Sequence, residues 1–235
     1  MDLHTHTLAS AHGYSTLREN VTAAKAKGLE ILGTTDHSKA MSGVYTNAFF
    51  TNYNAIPRVL DGVTVLCGVE ANITDYRGAI DIDPLHRPLD YVIVSLHRPC
   101  ILPGSTLENT RAVVGAMDHP KVAIVGHPDD MRYPLDYQVL AREIVDRGLF
   151  CEVNNTSLKA HGPRKGAREN LLKLLAIGGE LGMEVVVNSD AHMDVSVGEL
   201  DLALSLLEEI QYPRELILNM GERAQILGRF DLAEK

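Results

Sequence analysis

The sequence predicts an α/β fold, a (β/α)7-type barrel formed as a single domain over residues 1–235. Short apolar, β-branched runs alternate along the whole chain with stretches of helical periodicity and with Gly or Pro punctuation. A strand followed by a helix, repeated in this way, implies a parallel sheet with crossover helices. Seven such repeats favour a closed barrel over an open sheet, and no low-complexity linker or change in composition marks a domain boundary.

Each predicted strand is a short apolar run, and each predicted helix has apolar residues at helical spacing. The strands are expected at 3–6, 31–35, 63–69, 91–96, 122–125, 149–153 and 184–188. The helices are expected at 17–27, 49–60, 107–117, 139–147, 168–181 and 198–210. Two of these helices begin with the capping-box sequences TLRE and STLE, in which a hydroxyl and a carboxylate satisfy free backbone N–H groups. The longest irregular stretch, 74–88, is expected to fold over one rim of the barrel.

Composition limits the partners that the protein can have. A formal net charge of −9 argues against sequence-independent binding to nucleic acid, which requires a basic surface. No apolar run approaches the roughly 18 residues of a membrane span, and the N-terminus lacks the pattern of a signal peptide. We therefore expect a cytoplasmic protein without nucleic-acid or membrane partners. Cys67, Cys100 and Cys151 are far apart in apolar surroundings and are expected to be packing residues.

Ionisable residues follow the predicted strands at their carboxyl ends. The opening MDLHTHTLAS places Asp2, His4 and His6 at alternate positions, which share one face of an extended strand. The first loop adds His12. Later motifs add further groups at or directly after the ends of strands: His37 (TTDH), Glu70 (GVEAN), His97 (SLHRP), His127 (VGHPDD), and Asp190 with His192 (VNSDAH). Because all strand carboxyl ends of a parallel barrel open onto one face, we expect these groups to meet there.

So many imidazoles and carboxylates in one place predict bound metal ions. Without a compensating charge, their burial would leave unpaired polar groups that cost several kcal/mol in sum. Imidazole and carboxylate donors without a thiolate suit zinc, manganese or iron. Nine ligands are too many for one tetrahedral ion, and Glu70 and Asp190 are natural bridges between ions. Closely spaced metal ions favour phosphoryl displacement and generate hydroxide near neutral pH, so hydrolysis is the expected chemistry.

The motifs DLHTHT, TDH, GVEAN, SLHRP, VGHPDD, EVNNTS and NSDAH resemble, in order and spacing, those of the PHP (polymerase and histidinol phosphatase) superfamily, and most closely its YcdX-like phosphatases. The resemblance runs from Asp2 to about Arg223. It implies a distorted, TIM-like (β/α)7 barrel with a trinuclear metal site, often zinc, at its mouth. It also implies three sets of ligands: His4, His6, Glu70 and Asp190; Glu70, His97 and His127; and His12, His37 and His192.

The expected function is that of a metal-dependent phosphoric monoester hydrolase. In this hypothesis a metal-bound hydroxide attacks a small phosphorylated substrate, and electrostatic positioning carries most of the rate. Glu70, Asp190 and Arg98 are the residues expected to carry catalysis, with the Arg98 guanidinium holding a substrate phosphate by paired hydrogen bonds. Three cations after the sixth strand are further candidates, although for them exposed surface charge is the favoured interpretation: Lys159, Arg164 and Lys165.

Several other polar residues have supporting or structural interpretations. Asp2 and Asp36 precede ligand histidines and are expected to orient them through hydrogen bonds. Asn154 and Asn155 end the sixth strand and either line the mouth or form a turn. The remaining polar candidates are expected to be structural, surface or loop-forming residues: His86, His119, His161, Asp129 and Asp130.

Three alternative functions use the same residues. A phosphodiesterase or exonuclease acting on nucleic acid would need the same metal arrangement, but the acidic charge counts against it. Amide hydrolysis, as in related amidohydrolase barrels, is disfavoured because those sites usually carry a lysine or fewer histidines. A non-catalytic metal-binding protein would saturate its ions with protein ligands, whereas nine ligands over three ions leave open positions. The resemblance also allows a homo-oligomer, with a trimer as one form.

Overall fold

A curled parallel sheet forms the centre of the protein in the computed structural model, which describes residues 1–44, 48–82 and 89–232. In chain order the strands are β1 (Ile31–Thr34), β2 (Val59–Leu60), β3 (Val63–Asn72), β4 (Tyr91–Ser95), β5 (Val122–Val125), β6 (Phe150–Asn154) and β7 (Val185–Asn188). The sheet order is β1-β3-β4-β5-β6-β7, and all of these neighbours are parallel. The predicted fold class, a distorted (β/α)7 barrel, is confirmed.

The N-terminal segment takes the place of the seventh barrel strand between the two edges of this sheet. Asp2 forms a parallel bridge with Leu32 of β1, and Thr5 forms one with Ala191, just after β7. The prediction of a regular strand at 3–6 is wrong, because the segment changes its hydrogen-bonding neighbour after every few residues. The backbone N–H of Leu3, for example, donates to the Asn188 side chain at 2.9 Å. Side-chain acceptors therefore replace part of a strand ladder.

Helices cover the outer face of the sheet and cap one end of it. They are α1 (Leu17–Ala26), α2 (Ala48–Thr51), α3 (Thr106–Ala116), α4 (Tyr137–Arg147), α5 (Ala167–Leu181), α6 (Asp201–Glu209) and α7 (Arg223–Gly228). Short 3-10 turns lie at Leu8–Ser10, Tyr53–Ala55, Thr156–Leu158, Asp194–Ser196, Arg214–Leu216 and Leu218–Met220. Both predicted capping boxes are formed, at Thr16 with Glu19 and at Ser105 with Glu108. Within the described residues, no helix is long and apolar enough to cross a lipid bilayer.

The predicted helix at 49–60 is wrong. The chain forms only the short α2 and a 3-10 turn there, and then enters β2. Pro57 accounts for the change, since the residue before a proline is driven out of the helical region. Asp61 and Gly62 follow with φ of 51° and 89°, which makes the two-residue hairpin that returns β2 antiparallel to β3.

Apolar side chains fill both faces of the sheet, and this confines the polar chemistry to one end. On β4, Val92 and Val94 pack outward against the helices, while Tyr91 and Ile93 pack inside the barrel. The inner cluster also contains three residues of and after α7: Ile226, Leu227 and Phe230. This end of the barrel is therefore closed by hydrocarbon, and the opposite end, where the strands finish, is left to polar groups. The cysteines are free thiols, with Cys67 and Cys151 buried and Cys100 partly exposed.

We predict that Gly33→Ala destabilises the fold by about 1–3 kcal/mol, because the added methyl group has no space. A Cβ at Gly33 would lie 2.8 Å from the carbonyl oxygen of Leu3, the acceptor to which the buried Tyr91 hydroxyl donates. Urea unfolding monitored by circular dichroism measures the change. Gly228→Ala is the control, since a Cβ there meets nothing within 4 Å. Equal stability of the two variants would contradict this account of barrel closure.

Candidate metal centre

The structure brings all nine predicted side chains together at the carboxyl ends of the strands. His4 and His6 are fully buried beneath a cavity of about 410 Å³. The other seven side chains line this cavity: His12, His37, Glu70, His97, His127, Asp190 and His192. Two of these residues, His127 and Asp190, have positive φ of 28° and 55°, a conformation that costs free energy outside glycine. The loops after β5 and β7 are thus held in unusual backbone shapes where they reach the centre.

The rings of His4 and His6 face each other through nitrogens that both carry lone pairs. His4 Nδ1 lies 2.7 Å from Glu152 Oε1, so it donates to that carboxylate. His6 Nδ1 lies 2.9 Å from Ser10 Oγ, whose own proton goes to Asp36, so His6 also donates from Nδ1. The two Nε2 atoms then meet at 3.0 Å with no proton between them in the neutral rings. A positive charge, either a proton or a metal ion, is needed at this point.

The same arrangement recurs at two other histidines. His97 Nδ1 donates to Asn72 Oδ1 at 2.7 Å, which turns its Nε2 lone pair toward Glu70 Oε1 at 3.2 Å. His192 Nδ1 lies 3.1 Å from the backbone oxygen of Asp190, which turns Nε2 toward His12 Nε2 at 2.9 Å. An acceptor behind the ring and a lone pair in front of it is the usual arrangement of metal-binding histidine.

Glu70 occupies the middle of the centre. Its Oε1 lies 2.8 Å from His127 Nε2, and its Oε2 lies 2.8 Å from His37 Nδ1. The His37 contact lacks hydrogen-bond geometry despite the short distance, so that nitrogen has no hydrogen-bond partner. The Oε2 atom is also 3.4 Å from His4 Nε2 and 3.5 Å from His6 Nε2. With His97 also 3.2 Å from Oε1, the carboxylate lies among five imidazoles and can share its oxygens between cations.

Burial and neighbouring charges shift the pKa values of the centre in opposite directions. Burial alone would raise the pKa of Glu70, but the imidazoles of His97 and His4 outweigh it and hold that pKa well below its usual range. Burial is likewise outweighed at Asp190, where His4 and Arg164 hold the pKa of the carboxyl well below its usual range. Both carboxyls are therefore ionised at neutral pH and available as metal ligands.

Two of the histidines are shifted toward the neutral form. Burial, together with the neighbouring His192 and His37, lowers the pKa of His6 well below its usual range. The same causes lower the pKa of His12 to about 4. A neutral imidazole presents the lone pair that a metal ion requires. At His4 the charges of Glu152 and Glu70 outweigh burial and raise the pKa well above its usual range. The two carboxylates and the neutral rings of His6 and His12 thus fit divalent ions in charge and in ligand type.

Three groups of potential ligand atoms are close enough to hold one ion each: His4, His6 and Asp190; His37, Glu70 and His97; and His6, His37 and His192. The first is part of one set that the family resemblance implies. The other two divide the ligands differently, because His37 lies between Glu70 and His192. His12 contacts this set of side chains at His192, and His127 contacts it at Glu70.

The predicted orienting roles of Asp2 and Asp36 are wrong in detail. Asp2 accepts from the backbone N–H groups of Ser189 and Gly198, and so it fixes the loop after β7 rather than the His4 ring. Asp36 accepts from Thr7 and Ser10, and through Ser10 it orients His6 rather than the following His37. For Asp36 and His37 the cause is that residues adjacent in an extended chain point to opposite sides.

Glu152 is the residue that sequence reasoning missed. It is fully buried in β6, where Oε1 accepts from His4 and from Asn188 at 2.9 Å. Its Oε2 accepts from the backbone N–H of His127 at 2.8 Å and from Asn154 at 3.1 Å. A glutamate within an apolar strand is itself a signal, because such a side chain is almost never buried without partners.

Arg164 is not the exposed surface charge that was expected. Its guanidinium is buried, donates to Asp190 Oδ2 at 2.9 Å and also reaches Asn154 and Ser157. Arg98 lines the cavity with an exposed side chain and, within the described residues, makes no hydrogen bond or ion pair. Lys159 forms an ion pair with Glu199 instead of facing the cavity.

The remaining predicted residues separate into two groups. Asn154 lines the centre through its bond to Asp190 at 3.1 Å, whereas Asn155 accepts from the N–H of Ala203 at the start of α6. Asp130 forms a loop by pairing with Arg132. Three further residues lie outside the cavity or outside the described part of the chain: His119 and His161 do not line it, and His86 lies beyond the described residues. Asp129, in contrast, is fully buried, and neither of its carboxylate oxygens has a hydrogen-bond partner.

The fold and the centre together define the class of protein: a parallel α/β barrel with a histidine- and carboxylate-rich centre at its carboxyl face. Within that class, the chain belongs to the PHP family. The model of the PHP domain matches residues 2–184, which contain all of the candidate ligands except Asp190 and His192. The family predicted from the motifs is confirmed.

Full-length relatives carry one common description. A "probable phosphatase" of Clostridium novyi is 38% identical over 224 residues, covering 95% of this chain and 91% of the relative. A "probable phosphatase" of Caldanaerobacter subterraneus is 41% identical over 221 residues, covering 93% of this chain and 86% of the relative. These relatives therefore match nearly the whole length of this chain.

A solved structure shares the fold. Histidinol phosphate phosphatase from Lactococcus lactis, described as a complex with zinc, L-histidinol and phosphate, superposes with a TM-score of 0.62 at 18% identity. The match covers 90% of this chain and 93% of that protein. At this level of identity, the likeness shows the barrel architecture.

We predict that Glu152→Gln weakens zinc binding by about 10- to 100-fold, because the amide nitrogen would put a donor where two N–H groups now donate. Competition with a chromogenic chelator measures the affinity. Glu180→Gln, the same change on the exposed face of α5, is the control and should bind zinc as the unmodified protein does. Equal zinc affinity in both variants would show that Glu152 does not control the orientation of His4.

Proposed function

We propose that the protein is a metal-dependent phosphatase that hydrolyses small phosphate monoesters at a centre of three divalent ions, with zinc the leading candidate and manganese or iron as alternatives. The observation that carries this proposal is the pair of facing Nε2 atoms in His4 and His6, each with its other nitrogen already donating. The printed description of the relatives as phosphatases supports the reaction class. On this proposal residues 1–235 act as one PHP metal-dependent hydrolase domain.

We assign the nine side chains at the mouth as the ligands: His4, His6, His12, His37, Glu70, His97, His127, Asp190 and His192. Glu70 and Asp190 are also assigned as catalytic, since each can place an oxygen on two ions. Bound metal ions would supply Lewis-acid polarisation of the phosphoryl oxygens and an activated water. The protein's part is to hold Glu70 and Asp190 ionised and His12 neutral, as the pKa shifts indicate, and to fix the direction of the imidazole rings.

Guanidinium groups at the cavity would bind the substrate. Arg164 is held against Asp190 and is therefore positioned beside the centre before any substrate arrives. Arg98 has no competing partner in the described residues, so its donors are available for phosphate oxygens. Leu96, Pro99 and Tyr133 also line the cavity and provide apolar surface for the organic part of the ester. These features support a small phosphorylated molecule as the substrate.

A phosphodiesterase acting on nucleic acid is the second candidate, because two or more metal ions serve that reaction equally well. The formal charge of −9 and a cavity of about 410 Å³ both favour a small ligand over a polymer.

Removal of metal ions is predicted to abolish hydrolysis, and zinc or manganese is predicted to restore it. The assay compares p-nitrophenyl phosphate and a panel of natural monoesters with a labelled single strand of DNA, beside elemental analysis of the same preparation. Full turnover after rigorous chelation would contradict the proposal, and cleavage of DNA alone would select the second candidate.

His37→Ala and Glu70→Ala should each lose metal and cut turnover by orders of magnitude, whereas His161→Ala, at an exposed position outside the cavity, should change neither.

Arg98→Ala is predicted to raise KM for a phosphate monoester by about 10-fold while leaving the metal content unchanged, because it removes a charge-assisted hydrogen bond. Lys165→Ala is the matched control, since Lys165 is exposed and does not line the cavity. Steady-state kinetics and elemental analysis of the two variants test the assignment. An unchanged KM in Arg98→Ala would show that Arg98 is an exposed surface charge that does not bind the substrate phosphate.

A further inference from the structure

A short excursion of the chain beyond β3 brings an additional carboxylate to the edge of the metal centre. We call residues 73–82 the β3 excursion. Ile73 and Ile80 form an antiparallel bridge, and the N–H of Asp81 donates to the carbonyl of Asn72 at 3.2 Å. The chain thus leaves the barrel at the carboxyl end of β3, reverses, and returns beside the residue from which it left.

The tip of the excursion is fixed on α3 by close backbone contact. Gly78 has φ of +90°, and an added Cβ there would collide with the backbone of Gly115 and Ala116. A Cβ on Gly115 would in turn collide with the carbonyl of Arg77. Within the turn, the Asp75 carboxylate accepts from the N–H groups of Arg77 at 2.8 Å and Ala79 at 3.0 Å. The excursion is therefore a defined structure rather than a loose loop.

Asp81, at the base of the excursion, uses both carboxylate oxygens and is 7% exposed. Oδ1 accepts from the Ser38 hydroxyl and from the backbone N–H of Asn72 at 2.8 Å. Oδ2 accepts from the N–H of Ala40 at 2.6 Å and from Asn72 Nδ2 at 2.9 Å. One side chain thus ties the loop after β1, which carries His37, to the end of β3, which carries Glu70.

These bonds decide which way the Asn72 amide faces. Its Nδ2 group also donates to the carbonyl of Ser38 at 3.2 Å, so both of the amide N–H bonds have acceptors on the side of Asp81. The Oδ1 atom is left to face His97 Nδ1 at 2.7 Å. His97 therefore carries its proton on Nδ1, and its Nε2 lone pair is directed at the centre.

We propose that Asp81 is a positioning residue of the metal centre. Through Asn72 it sets the tautomer of His97, and through Ser38 it holds the loop that follows His37. This inference rests on the proposed function, since it concerns the ligands of the same ions. Asp81 reaches no ligand side chain directly, and its effect is transmitted by one amide that has two possible orientations.

Asp81→Asn tests this proposal by replacing one carboxylate oxygen of Asp81 with an amide nitrogen. An asparagine can keep an oxygen toward Ser38, but its amide nitrogen then faces two N–H groups, which removes the reason for Asn72 to keep its orientation. We expect the Asn72 amide to turn and His97 to move its proton to Nε2. The zinc ion held by His97 should then bind about 10- to 100-fold more weakly. Nitrogen-15 shifts of the His97 ring in metal-free protein report the tautomer, and elemental analysis of the zinc-loaded protein reports the zinc content.

The paired variant Asn72→Asp/Asp81→Asn exchanges the carboxylate and the amide. It restores an acceptor for His97 Nδ1, so the wild-type tautomer and most of the zinc affinity should return. Asp75→Asn is the matched control, because this change removes a carboxylate of the same excursion that does not touch Asn72. It should leave the His97 shifts and the zinc content unchanged.

The outcomes separate this inference from the proposed function. A protein that binds no zinc even without substitutions overturns the metal centre itself. Three bound ions and an unchanged His97 tautomer in Asp81→Asn overturn only the role of Asp81. If Asp81→Asn fails to fold, the paired variant decides the question. A proton on Nδ1 of His97 in the paired variant supports the role of Asp81, and a proton on Nε2 contradicts it.

Discussion

The structure depends on a repulsion between imidazole lone pairs that a positive charge, either a proton or a metal ion, relieves. Imidazole nitrogens with lone pairs point at each other and at carboxylate oxygens, while the protons on the opposite sides of the rings are taken by fixed acceptors. The barrel therefore holds these side chains together against their mutual repulsion. The acceptors behind the rings, Glu152, Asn72 and the Ser10–Asp36 pair, are as necessary to this arrangement as the rings themselves.

The division of the barrel interior explains how the fold tolerates this arrangement. The end opposite the centre is filled by hydrocarbon from the strands and from α7, including Tyr91 and Phe150 packed against Phe230. That cluster provides the cohesion that the polar end lacks. The polar end also carries unusual backbone conformations, since His127 and Asp190 have positive φ.

The sequence predicts which side chains meet at the mouth of the barrel because their position depends on a simple rule, the shared direction of parallel strand ends. It predicts the acceptors behind the rings poorly, because those depend on which neighbouring strands pair. Asp36 precedes His37 but serves His6. Glu152 looks like an ordinary strand residue until the fold brings its carboxylate to His4. Arg164 sits in a polar loop whose sequence does not reveal that it folds back onto Asp190. The helix expected at 49–60 conflicts with turn signals in the same segment, namely Pro57 and the Asp61-Gly62 pair.

Closure of the barrel by the N-terminal segment has a consequence for the order of events during synthesis. The groups that hold this segment include the Asn188 side chain and the Ala191 carbonyl, which follow His4 and His6 by more than 180 residues. The two histidines are therefore synthesised long before their surroundings are complete. On the proposed function, metal ions would meet an incomplete set of donors in that interval, so tight capture of the ions would report that the barrel has closed.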